Sequence, residues 1–278
     1  MFNYFRKHND VYIATSFDSN RKKKNRIFQF NVKGNFVKGY YGETLKYQEF
    51  LINNNFDIIF FNAAQQWSFD LALPILENIK AKKIIFPCGF SRLDNILYYP
   101  YFKLIKNKIN YFDKVVCTYK NLKDYKFISK YYKKKIYLIN NGTNRIRRNL
   151  SRQKFLNKFK LKKKTNLFIN ISNIKFNKGQ IRTINLFKKI NTNNATMFFM
   201  GKNNSFLYFF LFKIVIYLFN ILNHEKKIIY LNSNNKTKND LYHHAEFFLF
   251  GSRIEYDPLV MYESIVSNTK FISYEVGS

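Results

Sequence analysis

The chain has 278 residues, 46% hydrophobic and 19% aromatic, so it buries a large core and is not disordered as a whole. Its 48 Lys and Arg against 17 Asp and Glu give a formal net charge of +31, which first suggests nucleic acid or an anionic membrane surface as partner. Most of the cations are Lys spread along the whole chain among many Asn, Ile, Phe and Tyr; these residue types share A/T-rich codons, so genome composition is a competing explanation of the charge.

In chain order, the opening MFNYFRKHNDVYIATSFD has no continuous apolar core of a secretion signal. Short apolar, β-rich runs at 11–15 (VYIAT), 56–62 (FDIIFFN), 82–88 (KKIIFPC), 113–118 (DKVVCT) and 135–141 (KIYLINN) predict buried strands. Helical periodicity fills most of the gaps, as at 43–54 and 69–80. The glycine-bearing segment 32–43 (VKGNFVKGYYGE) is read as a loop on the substrate side. After NNGTN (140–144) a basic linker runs through about residue 164, and the alternation then restarts. Strands are predicted at 167–172, 195–201, 227–232, 246–251 and 270–275, with helices at 179–190, 205–222 and 236–245. Strands alternating with helices predict parallel sheets covered on both faces. The class is therefore α/β, in two consecutive units, 1–145 and 146–278.

Cys88 and Cys117 are isolated and lack metal-ribbon spacing, which points to a reduced, cytoplasmic protein. Four dense basic runs, at 20–26, 131–137, 145–154 and 160–164, lack the spacing of a nucleic-acid module. Near a membrane each such charge is worth about 1 kcal/mol toward anionic lipid, so the runs suit a peripheral position at the inner membrane face. The segment 206–222 is apolar except for Lys213 and Asn220. It is short for a span of about 20 residues, so it reads as a buried or interfacial helix, with a single span as the alternative.

Chemistry concentrates where predicted strands end, because ligands of open α/β sheets bind beyond the carboxyl ends of strands. One such end is SNIKFNKGQ, with Lys178-Gly179 opening a helix; the other is GSRIEYDPLVMYES, with Glu255 and Glu263 on either side of Asp257-Pro258. Asp257 is expected to cap a helix from Leu259 to Ser267 with Pro258 in its first turn. The N-terminus of that helix would attract phosphate. Taken singly, Glu255, Glu263 and Lys178 are also compatible with solvated surface positions; their joint placement favours a site. His243 and His244, adjacent on a predicted helix, point two ways and are read as structural, as are His8 and His224, so no metal is expected.

The stretch FLFGSRIEYDPLVMYESIVSNTKFISYEVGS resembles the closing signature of the group 1 (family 4) glycosyltransferases of GT-B fold, with Glu255 and Glu263 separated by seven residues and Val276-Gly277-Ser278 at the end. YLINNGTN is similar to the segment leaving the first domain of that family, and INISNIKFNKGQIRTINLF looks like its strand, loop and helix with a basic pair. The resemblance implies two Rossmann-like parallel-sheet domains facing a cleft, the second incomplete and the chain shortened at both ends. It implies retaining transfer of a sugar from a UDP- or GDP-linked donor to a glycan or lipid-linked acceptor, in surface polysaccharide or glycolipid assembly, with neither metal nor cofactor. Glu255 would lie at the reacting centre, Glu263 would hold the donor ribose and Lys178 the diphosphate, aided by the backbone at Leu259 and Val260. Two departures stand out. Asn173 occupies the place of the usual Arg of the phosphate clamp, and Cys88-Gly89-Phe90 stands where many members carry a His. A catalytically silent relative acting as a binding module is therefore the second reading. A specific nucleic-acid binder is the third and is not favoured, since buried strands account for most of the aromatics.

Overall fold

The apolar runs build a four-stranded and a five-stranded parallel sheet in a computed structural model, which describes residues 2–19, 26–253 and 255–274. The basic run at 20–26 lies outside the described residues except for Arg26, and Glu275 and Val276-Gly277-Ser278 lie outside them as well. The chain divides into two compact units, Met1–Asn140 and Asn141–Ser278.

The first unit contains α1 (Phe2–Phe5), β1 (Ile13–Ser16), β2 (Ile27–Phe30), β3 (Val32–Asn35), β4 (Gly39–Gly42), α2 (Thr44–Asn53), β5 (Ile58–Asn62), α3 (Trp67–Ala72), β6 (Lys82–Phe86), α4 (Tyr99–Lys108), β7 (Lys114–Cys117), α5 (Lys123–Ile128) and β8 (Ile136–Leu138). Strands β5, β6, β7 and β8 form a parallel sheet in that order. Strand β1 pairs in parallel with β2, a strand that the apolar-run pattern does not single out. The segment expected to be a loop at 32–43 is instead the antiparallel hairpin β3–β4. The single helix expected at 69–80 breaks at Ala72 into a 3₁₀ turn, Leu73–Asn78. Pro74 is the cause, since it has no N–H to give to the helical ladder. Phe69, Leu73, Tyr101 and Phe112 pack this unit's core.

The second unit contains α6 (Arg152–Lys158), β9 (Asn166–Ile171), α7 (Gln180–Lys189), β10 (Ala195–Met200), α8 (Phe206–Leu222), β11 (Lys226–Leu231), α9 (Asn235–His244), β12 (Phe247–Phe250), α10 (Leu259–Val266) and β13 (Lys270–Ser273). Its five strands are parallel in the order β11-β10-β9-β12-β13. Successive strand residues serve opposite faces. Leu167 and Ile169 join Phe198, Met200, Phe248 and Phe250 in a core beneath α6 and α9. Phe168 joins Met197, Phe199 and Leu249 in another beneath α7 and α8. Buried on both faces, these strands read as unbroken apolar runs in the sequence for that reason.

The expected linker is instead part of this unit. Phe155 and Leu156 of α6 are core residues, and the Arg152 guanidinium donates to the carbonyls of His244 (2.7 Å) and Thr165 (3.0 Å) and pairs with Glu246 (3.0 Å). At the sheet edge, Asn220 of α8 donates to the Ile228 carbonyl at 2.9 Å and accepts from the Ile228 N–H at 2.7 Å. The buried His244 ring lies with Nε2 2.9 Å from the Leu150 carbonyl.

Burial holds the His244 imidazole below its usual pKa. The unfolded chain therefore takes up the proton first, and this contribution to stability is complete above about pH 6.5 and is lost as the pH falls through that value toward the folded pKa. Denaturant titrations at a series of pH values will show the wild type losing stability below about pH 6.5 more steeply than His244→Gln.

Candidate functional site

Within the second sheet the chain runs outward from β9 through β10 to β11, then crosses back to continue at β12 and β13. The loops leaving β9 and β12, whose neighbouring pairs are Phe247 with Phe168 and Phe248 with Ile169, diverge in opposite directions. Such a reversal opens a crevice beyond the strand ends and is where ligands of doubly wound sheets bind.

Two glycines bring the loops together. Gly179, at φ +66° ahead of α7, lies so close to Gly251 after β12 that a Cβ on it would sit 2.1 Å from the Gly251 carbonyl oxygen, and a Cβ on Gly251 would sit 2.5 Å from that of Gly179. Any other residue at either place would push the loops apart. Polar side chains bind the approach. Asn170 on β9 donates to the Leu249 carbonyl at 2.7 Å, Ser252 donates to the Asn177 carbonyl at 3.1 Å, and Arg182 on α7 donates to the Gly251 carbonyl at 2.9 Å.

Lys178 and Glu255 meet across this contact. Their Nζ and Oε1 atoms are 2.5 Å apart, with the side chains 22% and 11% exposed, and the ammonium lies 5.8 Å from the centre of the Phe250 ring. Glu263, on the second turn of α10, belongs to a separate cluster. Its Oε1 pairs with Lys238 at 2.7 Å and its Oε2 accepts from the Tyr242 hydroxyl at 2.8 Å. Lys238 and Tyr242 stand four apart on α9 and so share one face. Burial, reinforced by the Glu263 carboxylate, pushes the Tyr242 phenol far above its usual pKa, which keeps it a proton donor. The N–H groups of Leu259 and Val260 lie in the first turn of α10, where no acceptor exists within the helix. Asn173 is exposed just after β9, and its carbonyl accepts from Gln180 at 2.9 Å.

Two expectations need correction. Asp257 does not cap α10: one carboxylate oxygen accepts from the Tyr262 hydroxyl at 2.7 Å and the other from the Asn141 N–H at 3.3 Å, while Pro258, extended at φ −72° and ψ 118°, stands at the cap position. The helix ends at Val266, with Ser267 as its cap. Sequence reasoning missed Lys238, Tyr242 and Arg182. The first two carried a signal in their i, i+4 spacing on a polar helix, and Arg182 one in its place a turn beyond Lys178.

In the first unit, positive φ at Ala63 (74°), Gln65 (57°) and Cys88 (58°) marks the carboxyl ends of β5 and β6. Burial pushes the Cys88 thiol up to about 11, so it is not a base near neutral pH. The neighbouring Gly89 N–H donates to the buried Asp124 at 3.0 Å. His243 and His244 bind the carbonyls of Ile146 and Leu150. Among the described residues no group of three or more His, Cys, Asp or Glu is placed to hold a metal ion.

No protein-family model matches the sequence, and no curated protein does. Solved structures do match the fold. HepE of Anabaena, in complex with UDP-glucose, is 14% identical with a TM-score of 0.63 over 84% of this chain and 63% of that one. Sucrose-phosphate synthase of Thermosynechococcus elongatus is 13% identical, with a TM-score of 0.69 over 95% and 70%. A trehalose-6-phosphate synthase, analysed with bisubstrate glycomimetics of transfer with retention, is 10% identical, with a TM-score of 0.71 over 99% and 80%. The chain thus spans less than two thirds of the length of HepE. These likenesses establish the fold, two Rossmann-like units of the GT-B type.

Removing the Tyr242 hydroxyl deprives a mostly buried carboxylate of a donor, so Tyr242→Phe will lower the unfolding free energy by about 1.5–3 kcal/mol. Gly179→Ala, which is strained at its φ and clashes with Gly251, will cost more than about 1 kcal/mol. Urea titrations of the purified variants measure both.

Proposed function

We propose that the chain is a glycosyltransferase that binds a nucleotide-sugar at the reversal between β9 and β12 and moves the sugar, with retention, to a glycan or lipid-linked acceptor in surface polysaccharide or glycolipid assembly. The observation that carries this is the meeting of Lys178 and Glu255 at that reversal, with α10 beginning at Leu259 in the same loop's continuation, in a GT-B fold. In the reaction the bond from the anomeric carbon to the diphosphate breaks, a bond to the acceptor oxygen forms and the acceptor hydroxyl's proton passes to the departing diphosphate oxygen, on which negative charge grows as the bond breaks. A positioned ammonium and a helix N-terminus stabilise such charge. Lys178 and the N–H groups of Leu259 and Val260 are those groups here. Glu263 is oriented by Lys238 and Tyr242 to accept from ribose hydroxyls, as an ionised carboxylate can accept two hydrogen bonds at once. Glu255, held by Lys178 until the diphosphate competes for the ammonium, then faces the sugar.

Cys88 stays a thiol and so offers no base to an acceptor hydroxyl, and Asn173 brings no cation to the clamp. These observations favour, as the second reading, a relative that binds the nucleotide without transferring the sugar.

Calorimetric titration of UDP and of GDP into the purified protein tests the donor site. One of them will bind, and Glu263→Ala and Lys178→Ala will each weaken it at least about tenfold, the loss of roughly one charge-assisted hydrogen bond. If neither nucleotide binds the folded wild type, the proposal is wrong. Where binding is found, Glu255→Gln separates the two readings: it will abolish turnover of the UDP- or GDP-sugar while leaving nucleotide affinity largely intact, whereas the binding module has no turnover to lose.

A further inference from the structure

We propose that the outer face of α8 lies in the surface of an anionic lipid bilayer, with the helix parallel to the membrane plane. The helix buries Tyr208, Phe212, Ile216 and Phe219 against its own unit. Its opposite side presents Leu207, Phe210, Leu211, Ile214, Leu218 and Ile221, each between 40% and 70% exposed. Their spacing is that of one helical face, and they form a stripe running about 20 Å at 1.5 Å per residue. An apolar strip of that extent is not left to water without a use.

Charge selects a bilayer as the occupant. From Tyr125 to His224 the sequence contains no Asp or Glu, so α6, α7, α8 and their connections carry cations alone. The exposed Lys188 and Lys189 end α7. Lys226, four residues beyond α8, donates to the carbonyls of Phe187, Lys188 and Ile190, which fixes the end of α7 close to the end of α8. Lys213 is exposed on α8 itself, with its ammonium 5.5 Å from the centre of the Tyr230 ring, turned aside from the apolar stripe. Lysines flanking an apolar strip reach anionic headgroups while the strip enters the acyl boundary. A second copy of the chain would instead set two cationic surfaces against each other. The helix lies in the membrane and does not cross it: its inner face is committed to the protein core, and among the described residues no helix is long and apolar enough to cross a membrane. The proposal is independent of the donor site, since a chain that transfers no sugar would bind lipid equally.

The test is sedimentation of the full chain with phosphatidylcholine vesicles, with and without phosphatidylglycerol, at physiological ionic strength. The chain will pellet with the anionic vesicles. Leu211→Glu with Leu218→Glu, both at exposed sites, will lower the partition coefficient at least about tenfold, and Leu97→Glu, an exposed apolar site in the first unit, will leave it within about twofold. Tyr217→Trp provides a second readout: its emission will shift to the blue on binding and be quenched by brominated lipid. Binding that the glutamates leave unchanged, with the Tyr217→Trp emission unshifted, would mean adsorption by charge alone and overturns the proposal. So would a lipid-free dimer, abolished by the two glutamates, in a chain that does not pellet with vesicles.

Discussion

Gly179 and Gly251 meet backbone to backbone, and that contact decides what can assemble at the carboxyl end of the second sheet. A Cβ on either would require the loops leaving β9 and β12 to separate, and a shift of an ångström or so there would part Lys178 from Glu255. The interaction is steric, but its product is electrostatic. By removing side-chain volume from the floor of the crevice, it draws an ammonium and a carboxylate into a mostly buried pair in a chain whose surface is overwhelmingly cationic.

Both candidate carboxylates are neutralised in advance, Glu255 by Lys178 and Glu263 by Lys238 with Tyr242. Desolvating a charge is costly unless a partner compensates, so these pairs are the form in which acidic groups can be kept largely out of water here. They also differ in kind. Glu263 is held by two side chains on one face of α9, whereas Glu255 among the described residues has Lys178 as its ionic partner, the cation that the proposed diphosphate would attract.

Much of this was legible in the sequence, for identifiable reasons. The inner strands β9, β10 and β12 stand out because burial on both faces leaves them almost wholly apolar, and α7, α8 and α9 fall close to their predicted bounds because short polar joints separate them from the strands. The meeting of Lys178 with Glu255 was legible because each lies in the loop that follows such a strand, whereas Glu263, inside α10, joins Lys238 and Tyr242 instead. What was not legible depends on competition in space. Asp257 has the sequence setting of a helix cap, yet Tyr262 and Asn141 engage its carboxylate. The pattern at 32–43 resembles a loop because a two-stranded hairpin rich in Gly carries little apolar periodicity. Lys238 and Tyr242 are ordinary helix residues until α10 brings Glu263 to them.

The Asn220 clasp has a consequence beyond fastening α8. Strand β11 is an outer strand, and a parallel sheet of this hydrophobicity with an open margin is a template on which another chain can extend the ladder. The outward-facing N–H and C=O of Ile228 are both taken by one carboxamide, and the helix that carries it covers that margin. A single amide thus serves as a guard against strand addition at one position of that edge.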